Sequence, residues 1–256
     1  MNTQIIKDEI ARVNAIYSER KFDFDCNYSG LNPAYLQRTQ SIEKHILITL
    51  NKTGVGSRIS SLNILDFGCG KGKWLARWIA WGADPSKLAG VDIRKDATSY
   101  ASSILPHCDI RLMDSLDIPY QNDTYDIVFI NSVFTSILNE NVRMFVASEI
   151  NRVLKPHGII MLSDFIYNNP RNPNVRGLTY KHITRLFKDM TIVTNSRIIL
   201  APPIARRLVP VSWKLSKFVE AAFSFLKTHR FVALRKEQSI EPIAVRPVQG
   251  RDGHYF

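Results

Sequence analysis

This 256-residue chain predicts an α/β fold, a doubly wound parallel sheet, and three observations carry that prediction. Apolar segments of strand length alternate with helical patterns along most of the chain. One junction, Asp66-Phe67-Gly68-Cys69-Gly70-Lys71-Gly72, reads as strand, glycine turn, helix. A later segment, Ile127 to Ile130, is apolar on both faces, as a central parallel strand must be.

The elements follow in order. Ile5, Ile6, Ile10, Val13 and Tyr17 lie at helical spacing, then the polar stretch Lys21–Asn32 breaks the pattern. Asn32-Pro33 opens a second helix through Tyr35, Ile42, Ile46 and Leu50, with proline suited to its first turn. These helices either cover one end of the core or close over a ligand, with Tyr35 and Arg38 as the side chains to reach in. The first strand, Leu62–Leu65, enters the glycine turn, and Trp74, Leu75, Trp78 and Ile79 continue as a helix stopped by Gly82. Glycines admit positive φ and close approach of a ligand to the backbone. The free N–H groups of the following helix suit an anionic group.

A second strand, Leu88–Asp92, ends in an acid 26 positions after Asp66, about one strand–helix–strand step. There Asp92 can accept from a ribose diol, or it caps the next helix. Asp109–Met113 and Tyr125–Ile130 are the third and fourth strands, ending at Asp114-Ser115 and Asn131-Ser132. A helix through Val142, Val146, Ile150 and Val153 stops at Lys155-Pro156-His157-Gly158 and feeds the fifth strand, Ile159–Leu162. Thr191–Leu200 and Arg230–Arg235 read as strands six and seven. The chain divides into a helical cap (1–60), a core (61–200 and 230–236), an insertion (201–229) and a loose tail (237–256).

Composition bounds the function. Hydrophobic residues make up 45% of the chain, enough for one substantial core. Met1–Glu19 is polar and charged, without the apolar stretch of a signal peptide, and no run is long and apolar enough to span a bilayer. The three cysteines, Cys26, Cys69 and Cys108, are too scattered for a disulfide framework or a metal cluster. The expected location is therefore cytoplasmic. The net charge of +11 matters by where it sits: residues 201–230 carry six basic residues against one acid. In that insertion Val211, Leu215, Phe218, Ala222, Phe225 and Leu226 form an apolar helical face opposite Lys214, Lys217, Glu220, Ser224 and Lys227. The segment 204–227 fits an anionic membrane surface, a lid over substrate, or a dimer face. Nucleic acid is not expected, because the basic residues border apolar surface and no recognised binding module is present.

The series Ile64–Gly72, Val91-Asp92, Asp114–Tyr120, Tyr125–Val128 and Leu154–Ile159 resembles the class I S-adenosylmethionine-dependent methyltransferases in order and spacing, over about Leu62–Asp164. A dehydrogenase fingerprint would require Gly-x-Gly-x-x-Gly, whereas Gly68, Gly70 and Gly72 are evenly spaced. The resemblance implies a Rossmann-like, mostly parallel seven-stranded sheet with an antiparallel last strand, a helical N-terminal cap and a helical insertion before the last strand. It implies S-adenosylmethionine as cofactor. Asp66 and the turn Gly68, Cys69, Gly70 would hold its methionine end, Asp92 and Ile93 its ribose, and Asp114 and Ser115 its adenine. Asn131 and Ser132 would approach the methionine moiety, as would Arg38 from the cap. Sulfonium chemistry is intrinsically favourable, so such a site must chiefly align a nucleophile and exclude water.

The long polar loop Ser163–Gly177, with its Asn-Pro-Arg-Asn-Pro run, is similar to a branch of these enzymes found with bacterial cell-surface polysaccharide or O-antigen synthesis. That resemblance implies O-methylation of a sugar hydroxyl, on a small-molecule or lipid-linked sugar; if the insertion 204–227 meets a membrane, the attachment is peripheral, on the inner membrane face. Tyr167, Arg171 and Arg176 are the substrate-side candidates, the arginines as partners for phosphate or as ordinary solvated side chains. A quinone-like lipid acceptor and a non-catalytic cofactor-binding scaffold are the alternatives. Asp164 and His182 are the candidate bases, His182 also fitting a plain helix surface. The histidine that follows the fourth strand in many related enzymes is absent from Val133–Ile137.

Overall fold

The computed structural model describes residues 3–19, 28–169 and 172–237. Seven strands form one sheet in the order β3-β2-β1-β4-β5-β7-β6. They are β1 (Ile64–Phe67), β2 (Leu88–Asp92), β3 (Asp109–Leu112), β4 (Tyr125–Asn131), β5 (Leu154–Phe165), β6 (Met190–Leu200) and β7 (Lys227–Lys236). The pairs among β3, β2, β1, β4 and β5 are parallel, and β7 slots antiparallel between β5 and β6. This is the doubly wound, mostly parallel architecture that the sequence predicts, with the last strand reversed.

Strand alternation divides the core into two layers. Leu65, Phe67, Val91, Val128, Ile130, Ile160 and Leu162 face one side. There they meet α1 (Thr3–Ser18), α5 (Glu140–Val153) and α6 (Tyr180–Leu186) through Ile6, Val142, Val146, Ile150 and Ile183. Ile64, Leu88, Ile127, Phe129, Ile159 and Met161 face the other. They pack on Ile42, Ile46 and Leu50 of α2 (Pro33–Thr53) and on Trp74, Leu75 and Trp78 of α3 (Lys73–Ala80). Asn32 caps α2 by accepting from the N–H groups of Ala34 and Tyr35, and Gly54 ends it in the left-handed region.

The insertion is two helices rather than one. After α4 (Lys95–Ile104), which follows β2, and β6 at the far edge come α7 (Pro202–Leu208) and α8 (Trp213–Ala222). A short 3-10 turn then leads into β7. Ser212 caps α8 by accepting from Leu215 N–H, so of the apolar stripe read in sequence only Leu215, Phe218 and Ala222 lie on α8, while Val211 precedes it and Phe225 and Leu226 lie in the turn after it. The tail beyond Glu237 lies outside the described residues.

Candidate functional site

Parallel strands leave their carboxyl ends along one edge of a sheet, and a crevice forms where the winding reverses between β1 and β4. At that point β1 passes into the glycine turn. Gly68 and Cys69 both donate their N–H groups to Val91 O, at 2.8 and 3.0 Å, folding the turn against β2. Gly68 has φ +77, and a Cβ there would stand 2.5 Å from the Val133 side chain, so the position demands glycine twice over. Gly70 N–H donates to Asp92 Oδ2 at 2.8 Å. The same carboxylate accepts from Arg94 N–H at 2.9 Å and Arg94 Nε at 3.3 Å. An ionised carboxylate has about four acceptor positions, so Asp92 keeps capacity for a further donor.

The crevice runs between these groups and the loop past β4. Phe67, Gly68, Asp92, Ile93, Met113, Leu116, Asn131 and Ser132 line it, enclosing a cavity of about 170 Å³. A second hollow beside it, bounded by Ile93, Leu112, Met113 and Asp114, holds about 560 Å³. Together they give an acid at the tip of β2, an apolar slot of Ile93, Leu112, Met113 and Leu116, and a polar end at Asn131-Ser132. Two buried acceptors lack any partner: Asn131 Oδ1 in the lining, and Asp66 Oδ2 on β1, one residue before the lining Phe67. Buried acceptors call for donors. The ammonium of a methionine moiety supplies them, so these residues fit the cofactor the motifs imply.

Asp66 is 1% exposed, and burial, with the neighbouring Asp92 charge, pushes its carboxyl up to about 8. Burial likewise raises the Cys69 thiol, which packs as a neutral core side chain beside Gly90. Ser132 adopts φ +60, a strained conformation for a residue with a side chain. Its N–H donates to Ser163 O at 2.8 Å and its hydroxyl accepts from Arg38 Nη2 at 3.0 Å. The second cap helix thus reaches the polar end of the crevice, as expected of Arg38. Tyr35 instead packs beneath the Lys73 ammonium, 4.0 Å from its ring centre.

The cap contributes more than sequence patterns indicate. Glu9, Ile10, Val13 and Tyr17 of α1 line the cavity directly. The Tyr17 ring carries the Arg94 guanidinium at 4.5 Å, joining α1 to the residue that grips Asp92. Glu9 accepts from Leu138 N–H and from Arg12, which also donates to Ser136 O. Burial opposes the Glu9 charge, but the bonds from Arg12 and Leu138 outweigh it and hold its carboxyl below the usual range. A glutamate inside an otherwise apolar stripe was the available signal.

The remaining candidates divide. Ile93 lines both hollows and Asp114 the outer one, while Ser115 is half-buried and outside both linings. Asp164 does not open onto the crevice. It is 1% exposed and accepts from Thr135 N–H, Thr135 Oγ1 and Phe165 N–H, which makes it the anchor of the loop past β4. His182 caps its own helix: Nδ1 accepts from Thr179 N–H at 3.3 Å while Thr179 Oγ1 accepts from His182 N–H. Neither has the geometry of a base at this crevice. Tyr167 and Arg176 are exposed on the carboxyl-edge loop, and Arg176 N–H donates to Thr135 O. Arg171 lies outside the described residues.

The family model of a methyltransferase domain matches residues 64–158. An uncharacterised methyltransferase-like protein of Schizosaccharomyces pombe is 32% identical over 95 residues, 37% of this chain and 35% of the relative. The match thus spans about a third of that curated relative's length. The fold resembles geranyl diphosphate C-methyltransferase from Streptomyces coelicolor, solved with Mg2+, geranyl diphosphate and S-adenosyl-L-homocysteine. That likeness has TM-score 0.59 and 13% identity, over 89% of this chain and 97% of that one. An S-adenosylmethionine-dependent methyltransferase from Mesorhizobium loti aligns with TM-score 0.52 at 15% identity, over 70% and 92% of the two chains. At such identities the likeness is one of fold. The matched segment 64–158 runs from β1 into β5 and contains the glycine turn, Asp92, Asp114, Asn131 and Ser132.

Proposed function

We propose that the protein is an S-adenosylmethionine-dependent methyltransferase, and that its acceptor is a hydroxyl of a sugar in surface-polysaccharide or glycolipid synthesis. The observation that carries the cofactor reading is the crevice, two adjoining hollows, that brings together the glycine turn, Asp92, the apolar slot and the unpaired Asn131 oxygen, with the unpaired Asp66 oxygen on the adjoining end of β1. When bound, S-adenosylmethionine supplies an electrophilic methyl group on a sulfonium. Asp92 would accept from its ribose hydroxyls, and Ile93, Met113 and Leu116 would clasp its adenine. Asp66 and Asn131 would take its ammonium, and Arg38, joined to Ser132, would neutralise its carboxylate. The helix α1 covers this crevice and excludes water, while Ser132 and the loop anchored by Asp164 set the acceptor side. Because neither candidate base opens onto the cavity, rate is attributed to alignment and desolvation rather than to a dedicated proton acceptor.

The sugar reading is supported by the polar carboxyl-edge loop that presents Tyr167 and Arg176 to solvent. A quinone-like lipid is the second reading, favoured by the exposed apolar side chains of α8. Incubation with methyl-labelled cofactor and separated glycolipid and quinone fractions tests the proposal. Label in the glycolipid, reduced several-fold by Arg176→Ala, is expected. Label confined to quinones, with Arg176→Ala neutral, replaces the sugar by the second reading. Cofactor binding without transfer to any fraction would leave a scaffold rather than an enzyme.

A further inference from the structure

The helix α8 carries an apolar strip on its outward side. Its two buried positions are polar: Ser216 is fully buried and donates to Gln37 Oε1 at 3.0 Å, and Glu220 accepts from Ser41 Oγ at 3.4 Å and from Lys217 at 2.9 Å. Its exposed stripe is Lys214, Leu215, Phe218, Ala221 and Ala222, one helical face by spacing. The apolar surface continues past the helix. Val211, Phe218 and Phe225 are 80%, 65% and 66% exposed, and Leu215 and Phe223 add to them. Solvated helices place such residues against their own core. Here hydrogen bonds to α2 and the packing of Trp213 and Val219 against Leu200, Ala205 and Val209 hold the helix, and a second apolar strip is left outward.

Charge says what covers it. Apart from Glu220, the charges of this insertion are cationic: exposed Arg206, Arg207 and Lys214, with half-buried Lys217 and Lys227. The one acid of the insertion, Glu220, is turned inward and paired. Exposed apolar side chains on a segment whose exposed charges are all cationic match a surface of anionic headgroups over acyl chains. A second copy of this chain would set cation against cation.

The location fits as well. The strand β6 runs parallel to β5, so its end at Leu200 lies on the carboxyl edge, where the crevice opens. Gln37 holds α8, and the next residue, Arg38, holds Ser132. We infer that the outward face of α8 and the following turn dock the protein on an anionic lipid bilayer, with the crevice edge toward the membrane. The docking is independent of methyl transfer.

Sedimentation with phosphatidylcholine vesicles, with and without added phosphatidylglycerol, tests this. Binding should favour the anionic vesicles and weaken with salt. The double variant Phe218→Ser/Phe225→Ser should bind roughly tenfold less or weaker still. Arg206→Glu/Arg207→Glu/Lys214→Glu should abolish the preference for anionic lipid. Unchanged melting and cofactor binding in these surface variants would separate a docking defect from a folding one. Three results would overturn the inference: no vesicle binding, equal binding to both vesicle types, or a lipid-independent dimer that Phe218→Ser dissociates.

Discussion

Asp66 sits without a partner for one carboxylate oxygen, in a setting that raises its carboxyl to about 8 from 3.8. The native protein therefore retains a proton that the unfolded chain has released across that window. Stability relative to the unfolded state is full below the lower value and falls as pH rises through the upper one. Denaturant midpoints measured from acid to mildly alkaline pH should show this decline, and Asp66→Asn should flatten it. An unchanged slope would contradict the titration. A ligand ammonium beside Asp66 favours the carboxylate, so cofactor binding below about pH 8 should release a proton. Calorimetry in buffers of different ionisation heat reads that release, and Asp66→Asn should remove it. At this scale the motif residues were legible because glycine spacing and strand-end acids leave local marks. For Asp164 and His182 residue type reports capacity, not orientation: Asp164 is buried and bound by Thr135 and Phe165, and His182 accepts from Thr179 through Nδ1 and lines neither hollow.

The first helix closes the crevice through one ionic clamp, Glu9 with Arg12, Leu138 N–H and Ser136 O. Glu9→Ala should raise the cofactor dissociation constant about tenfold or more, since buried acceptor loss costs roughly 1–3 kcal/mol. Limited proteolysis should then cut near residue 19 sooner, and equal affinity and protection would mean the clamp is idle. Gly68→Ala should destabilise by roughly 1–3 kcal/mol, from positive φ and the Val133 contact. The period of α1 was plain in Ile6, Ile10 and Val13, but period alone cannot separate a helix that covers core from one that covers ligand. In the insertion the apolar stripe was equally plain. Its outward direction was not, because Ser216 and Glu220 are bound by Gln37 and Ser41, 179 positions away in sequence.

Across the whole molecule, the doubly wound class was readable because strand and helix patterns alternate, whereas the reversed last strand was implied only by the family resemblance. The placement of β7 between β5 and β6, antiparallel to both, sets the insertion at the crevice edge. Cap and sheet meet at one opening, and the insertion begins on the same edge. Anything bound there should stabilise the fold, by about 2.7 kcal/mol at a hundredfold excess over its dissociation constant. The most direct test of the account is calorimetric titration with S-adenosylmethionine and S-adenosylhomocysteine, of the wild type and of Asp92→Ala. Saturable binding of both, weakened at least tenfold in a variant that remains folded, is predicted. Absence of heat from folded wild-type protein, or affinity indifferent to Asp92, would contradict it.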